Sequence, residues 1–291
     1  MSKKIFTKTL LPLSAVIAVG TGVSTLASCS KDNYTTITVS CTAVPHDEIL
    51  KAANNIAHIY GYKIVTNVQT GYDTENPAVA NGDADANFFQ HHPYLEAYNT
   101  SAASDKQLAS VLDVHLEPIA LWQKDWNGEI FPSGKQLPNA PTIYIPNKPD
   151  DFPRYGAFLN SYGIVADGYS TTNPSSWTGG INVTGTLTIN PTVVASMITQ
   201  IYQQGEYCVI NGNFALQAGI PTPKRVALEK TSGSATDNPY NNLIAVKKGN
   251  ESTPKTLALV KSLQNSVIYD WINEKYNGAV IPCEDLLPSE S

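Results

Sequence analysis

The chain has 291 residues, with 19 basic against 25 acidic side chains and a formal net charge of −6. That acidic balance argues against nucleic acid as a partner and against a basic patch for anionic lipid. The length strains a single core and favours two lobes. Only two arginines occur, Arg154 and Arg225, so an arginine contact to an anion must use one of them.

Residues 1–29 form the first element. Lys3, Lys4 and Lys8 make a basic start, an apolar run extends from Leu10 to Val19, and small residues lead to Leu26-Ala27-Ser28-Cys29. This is a secretory signal, too short between its flanks for a comfortable membrane span. Its ending resembles the lipobox of bacterial lipoproteins, in which the signal is cut before the cysteine and that cysteine is lipidated. The resemblance implies a signal over 1–28, lipidation at Cys29, a linker over 29–35, and work outside the cytoplasm on a bacterial membrane, most simply the cell membrane. Stable anchoring needs two or more acyl chains. Removing 28 of 291 residues leaves 263, and the loss of three lysines moves the net charge from −6 to −9. No later segment is long and apolar enough to span a bilayer. Cys41, Cys208 and Cys283 remain, an odd number that reads as small buried hydrophobes.

Residues 36–41 are β-branched and alternating, a first strand. Pro45 precedes a helix with Asp47 and Glu48 in its first turn and apolar residues at helical spacing from Ile49 to Tyr60, stopped by Gly61. Residues 62–68 read as a second strand, so the unit is βαβ and the sheet parallel. Asn76-Pro77 looks like a helix cap followed by proline at the first position. Residues 85–89 are a short strand, 93–98 open a helix, and 115–123 are a strand. Gly128, Pro132, Gly134 and Pro138 mark a crossover over 124–140. A strand over 141–145 and helical spacing over 154–162 follow. Residues 166–190 are rich in Gly, Ser, Thr and Asn and read as loop with one ribbon. A helix over 192–204, a buried strand over 207–210, a second crossover over 231–239, a strand over 243–247 and one or two helices over 255–276 complete the chain. The expected lobes are 36–123 with 240–285, and 141–230, joined as a clamshell. Ligand sites in such α/β sheets lie at the carboxyl ends of strands. The loops there are 42–46, 69–76, 89–92, 146–154 and 211–213.

Seven collinear segments resemble the methionine-binding lipoproteins of the MetQ/NlpA type. They are Val44-Pro45-His46-Asp47-Glu48-Ile49-Leu50, the stretch from Asn81 through Phe89-Gln90-His91-His92-Pro93 to Leu95, Val114-His115-Leu116-Glu117-Pro118, Ile145-Pro146-Asn147, Val209 through Asn211-Gly212-Asn213 to Leu216, Pro239-Tyr240-Asn241-Asn242, and Gly278 to Pro282. The resemblance implies an α/β, two-lobed type II periplasmic-binding-protein fold. It implies a receptor that captures L-methionine for an ABC importer whose permease and ATPase are other chains. It also implies ligand contacts at Tyr72, Asn76, Phe89, His91, Arg154, Asn211, Tyr240 and Asn242. The chain departs from the family around Asp151-Phe152-Pro153-Arg154-Tyr155-Gly156, over 165–191, and at Trp122, where a tyrosine is usual.

The chemistry of those side chains suits an amino acid. Arginine's planar fork matches a carboxylate. Asparagines offer donor and acceptor together, although Asn211-Gly212 is equally a turn signal. Phe89, Tyr72 and Tyr240 can wall a thioether, and Phe88 reads as core. His91 and His92, with His46 and His115, raise metal capture as a rival, but adjacent histidines point apart and zinc needs further ligands. No metal or cofactor is expected. No motif of a hydrolase, metalloprotease, nucleotide-binding or redox enzyme occurs, so no catalysis is expected. The other rivals are a different amino acid, a methionine-containing dipeptide, and a surface interaction protein.

Overall fold

The computed structural model describes residues 33–127, 136–137, 140–231 and 238–288. The signal, Cys29, and the central parts of both expected crossovers, 128–135 and 232–237, lie outside the described residues.

Alternation in the first strand, β1 (Thr35–Thr42), buries Ile37, Val39 and Cys41. Helix α1 (Glu48–Ile59) buries Ile49, Leu50, Ala53 and Ala57 on one face. It crosses back to β2 (Tyr62–Gln69), which pairs parallel with β1 from Thr35↔Tyr62 to Thr42↔Gln69. Gly61, at φ +80°, makes the reversal that a side chain would strain. Then come α2 (Glu75–Asn81) and β3 (Ala86–His91), the latter parallel to β1. Asn76 is not the cap expected from Asn76-Pro77. Thr74 precedes the helix, Glu75 opens it, and Asn76 is buried in the first turn. Helix α3 (His92–Ser101) follows β3 directly, with the His91 ring accepting the Tyr94 amide at 3.3 Å.

The strand expected over 115–123 is two strands. β4 (Leu108–Leu116) belongs to one sheet and β5 (Ala120–Trp122) to another. Pro118 cannot donate to a ladder, and the chain passes between sheets at residues 117–119, upstream of the expected crossover. The second sheet continues through β6 (Thr142–Pro146), α4 (Phe152–Ser161), β7 (Thr188–Val193), α5 (Ile198–Gln203), β8 (Tyr207–Ile210), α6 (Gly212–Gln217) and β9 (Arg225–Leu228). The helix expected over 192–204 is shorter, because Pro191 and the β-branched residues around it extend β7 instead. Strand β9 was not foreseen. The chain returns to the first sheet as β10 (Asn241–Lys247), then α7 (Pro254–Leu263), α8 (Ser266–Tyr276) and β11 (Ile281–Pro282).

The first sheet has the order β11-β4-β10-β3-β1-β2 and the second β7-β6-β8-β5-β9. Both are mixed rather than wholly parallel. β10 runs antiparallel between β3 and β4, and β5 antiparallel between β8 and β9. Each sheet has its own core. Phe88, Ile244 and Leu259 centre the first, and Tyr155, Leu159 and Val209 the second. This is the two-lobed α/β architecture. Among the described residues no helix is long and apolar enough to cross a membrane.

Candidate functional site

The strand ends of the two sheets converge on a narrow interlobe cavity of about 30 Å³. Six of the eight side chains expected there line it: Tyr72, Phe89, His91, Arg154, Asn211 and Asn242. The other two stand behind the wall. Asn76 exchanges amide hydrogen bonds with Gln90 at 2.7 and 3.0 Å and accepts from Asn87 at 2.9 Å, which fixes Gln90 in the wall. Tyr240 lies edge-on to His91, its ring centroid 5.4 Å away, and the Arg154 guanidinium sits 4.4 Å over its ring.

One side of the cavity is aromatic. Phe89 packs against Tyr94 at 5.5 Å and Tyr72 at 5.9 Å between centroids, and Lys148 Nζ lies 4.9 Å above the Tyr94 ring. The Tyr94 hydroxyl donates to the Tyr72 carbonyl at 2.7 Å and holds the loop after β2 in place. The Tyr72 hydroxyl reaches across the lobes to donate to Asn213 Oδ1 at 2.6 Å.

The other side is polar. His91 Nδ1 accepts the Tyr94 amide, so the ring proton sits on Nε2 and is donated to Asp151 Oδ1 at 2.9 Å, a second bond between lobes. Asp151 is 3% exposed. Burial works against its charge, but His91, Arg154 and the Tyr155 hydroxyl outweigh it and hold the carboxyl below its usual range. Arg154 Nε and Nη2 grip Glu229 at 2.9 and 2.7 Å, and Nη2 also donates to the Glu117 carbonyl at 2.9 Å. Glu229 does not line the cavity, so it holds the fork from outside. His46 takes the Thr42 hydroxyl on Nδ1 at 2.7 Å and donates from Nε2 to Asn242 Oδ1 at 3.0 Å. Asn242 and Asn213 thus both have their carbonyl oxygens engaged and their amide nitrogens left as donors. The Asn213 nitrogen is buried without a partner.

Sequence reasoning gave no role to Glu117, Asp151, Tyr94, Lys148 or Asn213. The signal was present for some of them. Glu117 and Tyr94 stand in quoted motifs, and Asp151 opens the helix that carries Arg154. Gly212 is needed for Glu117, since a Cβ there would lie 2.7 Å from Glu117 Cβ.

Among the described residues two clusters have metal-ligand composition: His46 with His115 and Glu117, and His91 with Asp150 and Asp151. In each, an imidazole nitrogen already meets a carboxylate, at 2.9 Å for His115–Glu117 and for His91–Asp151. An ion would have to displace those bonds. His92 is turned away, bonded to Asp113 at 2.8 Å.

Burial also sets a pH dependence. It lowers His46 to about 4 and His115 to about 3 from 6.5, and raises Glu75 from 4.5 to about 7. Below pH 6.5 the unfolded chain takes up protons that the two folded histidines refuse, so stability falls on acidification. Between pH 4.5 and 7 folded Glu75 keeps a proton that the unfolded chain has released, so stability falls as pH rises through that window. The histidines outnumber the acid, so the joint contribution of the three groups rises with pH and levels off near neutrality. In Glu75→Gln the opposing effect is removed. Its melting temperature should gain on the wild type between pH 4.5 and 7, by the equivalent of roughly 2–3 kcal/mol, and hold that gain above. Parallel melting curves for the two proteins across pH 4–8 would refute the Glu75 assignment.

Comparison with known proteins bears on this arrangement. The chain is 32% identical over 285 residues to the methionine-binding lipoprotein MetQ of Bacillus subtilis, covering 97% of this chain and 100% of that one. A crystal structure from Enterococcus faecalis, described as a pheromone cOB1 precursor/lipoprotein of the YaeC family, superposes with a TM-score of 0.73 at 30% identity, over 85% of this chain and all of the other. A nutrient-binding protein from Burkholderia cenocepacia, solved bound to methionine, superposes with a TM-score of 0.69 at 26% identity, over 84% of this chain and 99% of the other. The sequence profile of the NlpA lipoproteins matches residues 37–284. The chain belongs to the NlpA lipoprotein family.

Proposed function

We propose that this chain is a lipid-anchored extracytoplasmic receptor that captures L-methionine between its lobes and hands it to an ABC importer, whose permease and ATPase are separate chains. The observation that carries this reading is an interlobe cavity with an aromatic wall on one side and, on the other, Arg154, amide donors and the acids Glu117 and Asp151. A zwitterion with an unbranched apolar side chain meets all three. The carboxylate takes the remaining Nη1 edge of Arg154 and the amides of Asn213 and Asn242. The ammonium faces the acids. The thioether lies on Phe89, Tyr72 and Tyr94, because sulfur packs well against aromatic edges. The methionine bound by the Burkholderia relative and the name of the Bacillus one support this cargo over its rivals. No reaction is done on the solute. Its affinity for the closed form drives closure, since the bonds Tyr72–Asn213 and His91–Asp151 bridge the lobes.

Affinities for methionine, norleucine, leucine and glycyl-methionine, with and without a chelator, test the cargo. Methionine should exceed leucine at least tenfold, on sulfur–aromatic contacts of roughly 0.3–1.5 kcal/mol and a shape mismatch of roughly 1–3 kcal/mol. Norleucine should fall between, and chelation should change nothing. Phe89→Ala should close most of the gap. A different preferred solute would replace the cargo, binding lost on chelation would favour metal, and no binding at all would favour an interaction protein.

Arg154 should matter more than the acid that holds it. A hydrogen bond to a charged group contributes roughly 1.5–3 kcal/mol, so Arg154→Ala should weaken methionine binding at least tenfold by calorimetry. Glu229→Gln should weaken it only a few-fold, because the cation stays. Tighter binding in Glu229→Gln would mean that Glu229 competes with the ligand.

Anchoring should depend on the Cys29 thiol. Labelled fatty acid should enter the wild type and not Cys29→Ser. Equal labelling of both would remove the lipoprotein part of the proposal.

A further inference from the structure

A second cavity, of about 270 Å³, lies on the far side of the strand that joins the lobes. Side chains alternate between two faces along Glu117 to Trp122, whose last three residues form β5. Glu117 and Ile119 line the interlobe cavity, while Pro118, Ala120 and Trp122 line the second one. Most of the second lining is apolar, with Leu216, Ile220 and Leu228 contributing to it. Gly278 and Ala279 close it from the first lobe. At 270 Å³ it falls just under the range of about 300–1,000 Å³ typical of drug-sized sites, so its occupant is small.

Two nitrogen donors in this wall have no partner. Trp122 is 7% exposed, and its indole Nε1 is buried without a hydrogen bond. Arg225 faces Trp122 across the β5–β9 ladder, its guanidinium 5.9 Å from the indole ring, and its Nε is likewise buried and unbonded. A buried donor left unpaired is costly, so each orphan marks a place where an acceptor is missing. The chain has two arginines and 25 acidic residues. Arg154 is paired with Glu229. Arg225 makes no ion pair among the described residues, and no acidic side chain lines this cavity. We propose that this cavity is a second binding site, for a small apolar carboxylate whose head meets Arg225 and the Trp122 indole N–H and whose body lies against Ile220, Leu216 and Leu228.

The test uses the full chain and three probes with one apolar body: octanoate, octan-1-ol and octylamine. Binding is read by calorimetry and by the indole N–H resonances of ¹⁵N-labelled protein, with Trp122→Phe identifying the relevant peak. Octanoate should bind saturably and shift the Trp122 N–H downfield, with the alcohol and the amine at least tenfold weaker. Arg225→Gln should weaken octanoate at least tenfold while circular dichroism shows a cooperative melt. If that variant fails to fold, Ile220→Trp, which fills the cavity from a surface turn, should abolish octanoate binding. Equal binding of the amine and the acid, an unmoved Trp122 resonance, or octanoate affinity that survives either folded variant would overturn the proposal.

Discussion

An ionised carboxylate buried between two lobes constrains everything around it. Asp151 sits at the start of α4 in the second lobe, almost without solvent. A lone buried charge of that kind costs several kcal/mol. What makes it tolerable is His91, delivered by β3 of the first lobe at 2.9 Å, together with the Tyr155 hydroxyl at 3.1 Å. The partner therefore comes from the opposite side of the cleft. The pair ties the two lobes together across the cleft. The Tyr72–Asn213 bond has the same logic with neutral groups. Beside these bonds the lobes also meet through apolar contacts, with Tyr72 against Phe214 at 5.0 Å between ring centroids and Leu216 against the core of the first lobe.

The polar wall owes its directionality to what stands behind it. An asparagine amide presents a donor or an acceptor depending on its flip, and a neighbour must fix the choice. His46 fixes Asn242 by donating to its carbonyl, and Thr42 fixes the tautomer of His46. Tyr72 fixes Asn213 in the same way. Glu229 fixes Arg154 from outside the cavity. His46, Thr42 and Glu229 thus orient groups of the polar wall without lining the cavity themselves, and Tyr72 does so from the aromatic side. The cost of ordering these side chains falls on folding, which leaves less to be lost on binding.

Much of the fold could be read from periodicity. The βαβ opening needed only alternating β-branched residues, one amphipathic helix and Gly61. The division at Pro118 was harder, because an apolar run across residues 115–123 reads as one strand whichever sheet its halves join. Direction of pairing was also hidden. β10 runs antiparallel to both of its neighbours, and burial on both faces erases the alternation that would distinguish it. At the site, collinear motifs located the loops, and six of eight expected side chains face the cavity. Asn76 and Tyr240 stand behind the lining, because sequence register locates a loop without saying which side chain turns inward. The acids were passed over because a carboxylate near a helix start reads as a cap. Only the distances to His91 and Arg154 give Asp151 another meaning.

The joining strand is a wall one backbone thick, and close-packed protein transmits displacement instead of absorbing it. Glu117 and Ile119 touch the solute side, and Pro118, Ala120 and Trp122 the rear. Gly212 lines both cavities, and its missing side chain is the space that Glu117 occupies. A rotation of the lobes about residues 117–119 must therefore change the two spaces together. The rear cavity is bounded by Gly278 and Ala279 of the first lobe and by β5, β9 and α6 of the second, so its shape is defined only for a given lobe angle. An occupant that needs that shape binds one angle better than another, and linkage then requires it to alter affinity in the cleft by the same factor that the solute alters its own.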